Sequence, residues 1–560
     1  MSSNPFVDYL NQFNVLSPNH SKIYDEYTYE ANGNNFSFTI ETKIESHLIS
    51  IFKNEPHSVI LTGNAGDGKT RLCRSIYNNF STSELNDWPD EGIIDLKFDK
   101  GIIRFVKDLS ELKEEVIENE LSKLQSYIQN NHQEKIYYLI AANEGKLTKF
   151  LSQNSQMNYL KESVRERLKT YTNNTQQFSI FNLLDVTSSL YVDKVLEEWN
   201  KESNWELCSS CTRKKTCIIQ FNHEKTSKEQ VKDRLVEQYR LLDYLGTHIT
   251  MRELLIHISY VLTGGFDCSD IQNARHGELA KQMDRPFYEN FYGHGIEAEA
   301  FSEMRALKAF REVDPGNYSI SNIDDFIVNG DLSSNKKLEE IHREIFNADL
   351  DLKLGYFIKK LDIYRNHNKE SNDNFVDEWI NKLRRKFYFE FPEESLFNRK
   401  SLIPFDYITD FGELFDNAHK QGKIKKALIT GLNRAFSKKL VDPSSDLLAT
   451  NDNLMIHGTY KMRNLKILPE NARLEMDHRA SKFFLSVDEI LIPMDLHLFE
   501  YLMRLNSGNT HNLLREDVEI LLDTFKNELI KFSEPDPDYL SILRYDNDKG
   551  MYIEDEILIP

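Results

Sequence analysis

One segment constrains this chain more than any other. A short apolar run, Ser58-Val-Ile-Leu-Thr62, leads into Gly63-Asn64-Ala65-Gly66-Asp67-Gly68-Lys69-Thr70 and then the helical pattern Arg71-Leu-Cys-Arg-Ser-Ile-Tyr77. This is G-x-x-x-x-G-K-T between a strand and a helix, the setting in which that spacing holds a phosphate chain. Glycines let backbone amides turn inward around an anion, and the following helix points its positive end at it. Gly63 to Thr70 are therefore the expected nucleotide-binding residues. Lys69 would reach the β/γ-phosphates of ATP and the Thr70 hydroxyl would ligate Mg²⁺.

The metal shell needs a carboxylate at a neighbouring strand end, and Ile102-Ile-Arg-Phe-Val-Lys-Asp108 supplies Asp108. Three residues on, Glu111 is a candidate for polarising the attacking water. Two alternatives stand beside these: Asp95 in the run 92–99, and a plain capping role for Asp108 and Glu111 ahead of the helical run 112–129. Lys135 to Asn143, KIYYLIAAN, has the length and β-branched or aromatic content of a buried central strand and ends in a polar residue. At that edge Asn143 is placed to meet a γ-phosphate or the lytic water, or else only to turn the chain before Glu144-Gly145.

A fourth strand is expected at 178–184. Alternating apolar strands and amphipathic helices predict an α/β class, a doubly wound parallel sheet of P-loop NTPase, AAA-like type, followed by a helical lid and a largely α-helical C-terminal region. In the lid helix, residues 248–262, Leu254, Leu255, Ile258, Val261 and Leu262 form one stripe. Arg252 lies off it, where AAA-type ATPases carry an arginine that reaches the γ-phosphate; the bland alternative is a solvated helix arginine. The expected division is an N-terminal segment (1–55), an ATPase core (56–246) with a cysteine-containing insertion (204–225), a helical lid and helical domain (247–400), and a C-terminal docking domain (401–560) that closes in a hairpin.

The insertion carries Cys208, Cys211 and Cys217. C-x₂-C is the spacing at which one short loop offers two thiolates to a single metal, with Cys217 third and His223, Cys268 or His248 fourth. The basic run Arg213 to Lys215 is expected to lower the thiol pKa values. Structural Zn²⁺, an iron–sulfur cluster and metal-free thiols all remain open.

With 69 Lys and Arg against 89 Asp and Glu, the formal charge is −20, so the average surface repels nucleic acid and anionic membranes. Any DNA contact must be local or borrowed from partners; the runs 382–387 (KLRRKF) and 420–427 (KQGKIKKA) are the candidates, and most such runs are solvated faces. Arg305 and Arg311 are candidate arginine fingers for a neighbouring subunit. The N-terminus lacks a signal-peptide pattern, and no run approaches the ~18 apolar residues of a membrane span, so a cytoplasmic location is expected.

Taken together, the phosphate loop with its G-D-G-K, the K-D-L-S-E segment at 107–111, the A-N-E-G-K-L run at 142–147 and the T-x-R-E-L-L helix start at 250–255 resemble bacterial defence-island P-loop ATPases. The nearest family is the ATPase component of phosphorothioation-dependent DNA restriction systems, the DptF type. The resemblance implies an ATP-hydrolysing subunit of an anti-phage or DNA restriction complex, working with DNA-binding partners and other subunits or as a homo-oligomer. The alternative is a nucleotide-gated scaffold or switch with little hydrolysis.

Overall fold

The structure is a computed structural model that describes residues 3–15, 40–129, 135–170, 178–296, 298–330, 335–346, 349–353, 356–366, 375–392, 396–416, 421–451, 453–509 and 516–559. Lys420 of the basic run 420–427 lies outside them, as do residues 16–39 of the N-terminal segment.

Five strands form one sheet: β1 (Ser58–Thr62), β2 (Ile93–Phe98), β3 (Gly101–Val106), β4 (Ile136–Ala142) and β5 (Phe178–Asn182). Their order is β2-β3-β4-β1-β5. β3, β4, β1 and β5 run parallel, whereas β2 pairs antiparallel with β3. The fold is thus α/β with a mostly parallel sheet, and the expectation of an all-parallel one is corrected at β2. The cause is local: Phe98 and Gly101 are joined by the two-residue turn Asp99-Lys100, which can only return the chain beside itself.

The strands are near-continuous apolar runs because both faces of the sheet are covered. On one face Ile60, Tyr138, Ile140 and Ala142 meet Ile117, Leu121 and Leu124 of helix Glu114–Gln129 and residues of helices Glu144–Gln153 and Asn158–Thr170. On the other, Val59, Leu61, Leu139 and Ala141 meet helices Lys43–Asn54 and Lys69–Phe80 through Leu48, Phe52, Leu72 and Ile76. The alternation along β1 and β4 is the period-two consequence of strand geometry. Helix Met251–Thr263 follows, started by a Thr250–Glu253 capping box and ended by Gly264 in the left-handed region.

The chain divides into two compact units. One comprises residues 1–240, 248–402 and 473–478; the other comprises 241–247, 403–472 and 479–560. The first contains the sheet and the helices that continue to residue 402. In the second, helices such as Gln421–Ser437 and Leu496–Asn506 accompany seven strands among the described residues, including the closing hairpin Tyr539–Asp546 with Met551–Leu558. The expectation of a largely α-helical C-terminal region is therefore corrected to mixed α and β. Its strands are short pieces of five or six residues apart from that hairpin, and such pieces leave only a weak periodic signal. No described helix is long and apolar enough to cross a membrane.

Candidate functional site

The loop between β1 and helix Lys69–Phe80 leaves the carboxyl edge of the sheet, where β1 is flanked by β4 and β5. That edge is the ligand side of an open α/β sheet. Gly66 (φ +98°) and Gly68 (φ +84°) occupy backbone conformations that side chains resist. A Cβ on Gly66 would also lie 3.1 Å from the Cβ of Arg252. Gly68 caps the helix without a side-chain acceptor, so no capping side chain takes up the first-turn amides.

Lys69 is 5% exposed, and its ammonium donates to the carbonyl oxygens of Gly63 (3.1 Å) and Asn64 (2.7 Å). Burial pushes its pKa below the ordinary lysine value, Asp108 and then Asp67 pull it back up, and Arg252 pushes it down. Those three residues consequently stand within electrostatic reach of the lysine. Asn64 and Ala65 are exposed, and Thr70 is half-buried in the first turn of the helix.

Asp108 follows the end of β3 and does not cap helix Glu114–Gln129, which starts six positions later. Instead its Oδ1 accepts from the backbone N–H (2.7 Å) and hydroxyl (2.5 Å) of Ser110, fixing the carboxylate in a tight turn. Glu111 is different. Its side chain is 61% exposed and paired with Lys107 at 3.1 Å. Asp95, the alternative metal-side acid, is committed across the hairpin to Arg104, with both carboxylate oxygens bound at 2.7 and 2.6 Å.

Asn143 stands at the end of β4 and caps helix Glu144–Gln153, its Oδ1 accepting from the Lys146 N–H at 3.2 Å. The amide NH₂ is the part left to meet a ligand. Arg252 is brought to the loop: its backbone N–H donates to the Gly66 carbonyl at 3.2 Å.

Three residues at this edge escaped the sequence reading. His248, expected only as a remote metal ligand, places Nε2 2.8 Å from Asp67 Oδ1, while Asp67 Oδ2 accepts from the Asn64 N–H at 2.5 Å. Asp67 thus joins the loop to the segment that opens helix Met251–Thr263. Asn182, at the end of β5, donates to Glu144 at 3.0 Å, a bond between the strands on either side of β1. The signal for Glu144 was its place next to Asn143; nothing local marked Asn182 or His248. A narrow cleft beside Gly68 is lined by apolar Ile44, Leu183 and Val186 together with the polar Asp67, Arg71 and His248.

No family model, no curated protein and no solved structure matches this chain.

At the cysteine segment, His223 does not join the thiols. It stacks on Trp205 (centroids 4.2 Å apart, planes at 7°), its Nδ1 lies 3.0 Å from Asn200 Oδ1, and burial lowers its pKa to about 4. The expected lowering of the thiol pKa values is also corrected. Burial raises Cys208, with Lys214 only partly opposing it, and raises Cys217 to about 12. Desolvation outweighs nearby cations that stay in solvent.

The basic run 382–387 is not a solvated face. Arg384 pairs with Asp324, Arg385 with Asp314 and Glu289, and Lys386 with Asp351 and Glu390, all inside the helical part of the first unit. Its promise as a DNA contact is withdrawn, because those cations are already neutralised and buried. In the run 420–427, Lys423 and Lys426 remain exposed on helix Gln421–Ser437. Arg311 is held by the carbonyls of Tyr292 (3.0 Å) and Gly293 (2.6 Å) and lies over Phe301, which removes it as a free finger; Arg305 is exposed.

Proposed function

We propose that this chain binds ATP with Mg²⁺ at Gly63–Thr70 and hydrolyses it slowly, as the ATPase subunit of a bacterial anti-phage or DNA restriction complex. The observation that carries the nucleotide reading is convergence: Asp108, Asp67 and Arg252 all act on the charge of the buried Lys69 at the loop. These residues come from the loop itself (Asp67), the turn after β3 (Asp108) and the starts of two helices (Lys69 and Arg252). A buried lysine held only by loop carbonyls has a charge that a phosphate chain would match better. The first-turn amides would take phosphate oxygens.

The donors fit a hard cation. Thr70 and the Asp108 oxygen not used by Ser110 offer the one or two protein oxygens that Mg²⁺ ordinarily takes. Bound there, Mg²⁺ would neutralise charge developing on the β- and γ-phosphates. Asn143 would orient the γ-phosphate or water through its amide, and Arg252 would couple phosphate occupancy to the helix it begins.

Partner subunits, DNA reached through those partners, and self-association rest on the family resemblance alone. The alternative, a nucleotide-gated scaffold, is favoured by one observation: Glu111 is exposed and paired with Lys107. Glu144, held by Asn182, is the rival base. The test is nucleotide binding and turnover of the full chain with Lys69→Ala, Glu111→Gln and Glu144→Gln. The reading expects Lys69→Ala to lose both, and one of the glutamine variants to bind ATP without turning it over. Turnover surviving in Lys69→Ala would sink it. Binding without turnover in the unaltered chain, with and without DNA, would leave the scaffold.

A further inference from the structure

Four of the five cysteines meet at one place in the first unit. Asn4 touches two of them: its backbone N–H donates to Cys268 Sγ at 3.5 Å and its Nδ2 to Cys208 Sγ at 3.3 Å. Cys208 and Cys211 are joined by a turn in which the Cys211 N–H donates to the Cys208 carbonyl at 3.2 Å, and the Lys214 N–H to the Cys211 carbonyl at 3.1 Å. Cys217 sits at the start of helix Ile218–Thr226, and Cys268 opens helix Cys268–Asn273. Arg213 holds these pieces together by donating to the Gln272 carbonyl at 3.3 Å. The charges agree with this convergence: Cys208 acts on Cys217 and Cys268, and Cys211 acts on Cys208. Cys73, the fifth, is buried under the sheet.

We propose that Cys208, Cys211, Cys217 and Cys268 bind one Zn²⁺ as a tetrathiolate, fastening residues 3–10 and the 204–225 segment to the helices around residue 268. Cys268 takes the fourth position, and His223 has no part in it, since its ring is stacked on Trp205. All four thiols are free of disulfides. A set of four sulfurs is soft and suits Zn²⁺ rather than Mg²⁺ or Ca²⁺. Among the described residues, which include these four cysteines, no group of three or more His, Cys, Asp or Glu side chains is arranged so that it could hold a metal ion as it stands. Binding therefore requires the four sulfurs to move closer together than they stand here.

The exchange balances: four S–H bonds lose their protons to solvent, four Zn–S bonds form, and the unit carries two negative charges. Asn4 supplies N–H donors to two of those sulfurs, and Lys214 acts on Cys208. Each ligand must be deprotonated, so the site should empty in acid.

Elemental analysis of the full chain, purified without chelator and under reducing conditions, should find one zinc per chain. Replacing it with Co²⁺ should give the charge-transfer intensity of four thiolates, a reading that needs no variant and so stands even if the substitutions fail to fold. Cys268→Ser should cut retained zinc at least tenfold against a chelator competitor, while Cys73→Ala should leave it at one. Absence of metal both as purified and after reconstitution would overturn the proposal, and so would iron with sulfide in place of zinc. A three-thiolate cobalt spectrum, or full zinc retention in Cys268→Ser, would remove Cys268 as the fourth ligand.

Discussion

Two buried lysines show what separates a site from a scaffold in this chain. Lys386 is 0% exposed and faces Asp351 at 2.8 Å, Glu390 at 2.9 Å and Asp349 at 3.4 Å. Those carboxylates raise its pKa in spite of the burial. Lys69 is nearly as buried, yet its ammonium bonds only to loop carbonyls, and burial leaves its pKa lowered. One cation has three carboxylates in contact; the other bonds to two carbonyl oxygens, and the carboxylates of Asp108 and Asp67 act on it without offsetting its burial. Burial of a charge therefore says little about function; the partners decide.

The largest expected effect tests that contrast directly. Lys386→Met leaves Asp351 buried against Tyr288 without its cation, and should cost about 3–5 kcal/mol of stability. Lys69→Met removes a cation that has no carboxylate in contact, so its melting temperature should stay near that of the unaltered chain while ATP binding is lost. Equal destabilisation of the two variants would erase the distinction.

A pH signature belongs to the scaffold side. His257 is fully buried, its Nδ1 2.5 Å from the Tyr239 hydroxyl and its Nε2 2.9 Å from the Phe291 carbonyl. Burial lowers its pKa to about 4 from an ordinary value of 6.5. The folded protein then holds this ring neutral where the unfolded chain would protonate it. Its contribution is complete above pH 6.5 and is lost as pH falls towards 4, on the order of 3 kcal/mol in all. The stability difference between the unaltered chain and His257→Asn should accordingly narrow over that window. A difference independent of pH would mean that the ring is already charged in the fold.

How much of this was legible beforehand follows the same line. Elements written in neighbouring residues were readable: the expected strand 58–62 is β1, the run ending at Asn143 is β4, and the lid pattern 248–262 is helix Met251–Thr263. The two-residue turn Asp99-Lys100 before Gly101 was also a readable signal for the antiparallel β2, since two short strands that close together form a hairpin. What could not be read were pairings across long stretches of chain. Nothing near Lys386 announces Asp351, nothing near Asp67 announces His248, and nothing near Cys208 announces Asn4, while Cys268 is only one of three candidate fourth ligands. The run KLRRKF has the composition of a solvated face because composition carries no record of which distant carboxylates will meet it.

Glycines of the loop sharpen the site side. Gly66→Ala meets two penalties, a left-handed φ and a Cβ 3.1 Å from that of Arg252. Gly68→Ala meets only the conformational one, since nothing lies within 4 Å of its added Cβ. The first should cost about 2 kcal/mol and the second about 1 kcal/mol. Chemical unfolding of the two variants measures the gap. Identical losses would show that the start of helix Met251–Thr263 is free to move away from Gly66.

The smallest effect separates the two roles of Asn143. As a cap, its Oδ1 accepts from the Lys146 N–H, and Asn143→Ala should cost about 1 kcal/mol. Serine caps as well as asparagine does, because its hydroxyl oxygen can accept the same N–H, but it has no amide to place against a phosphate or a water. Asn143→Ser should therefore unfold within about 0.5 kcal/mol of the unaltered chain, bind ATP with unchanged affinity and turn it over roughly 10²-fold more slowly, the size of effect expected when one positioned donor is removed. Stability and turnover that fall together would assign the residue to the cap alone. Turnover that falls with stability intact would mark the amide at the end of β4 as a group that meets the nucleotide.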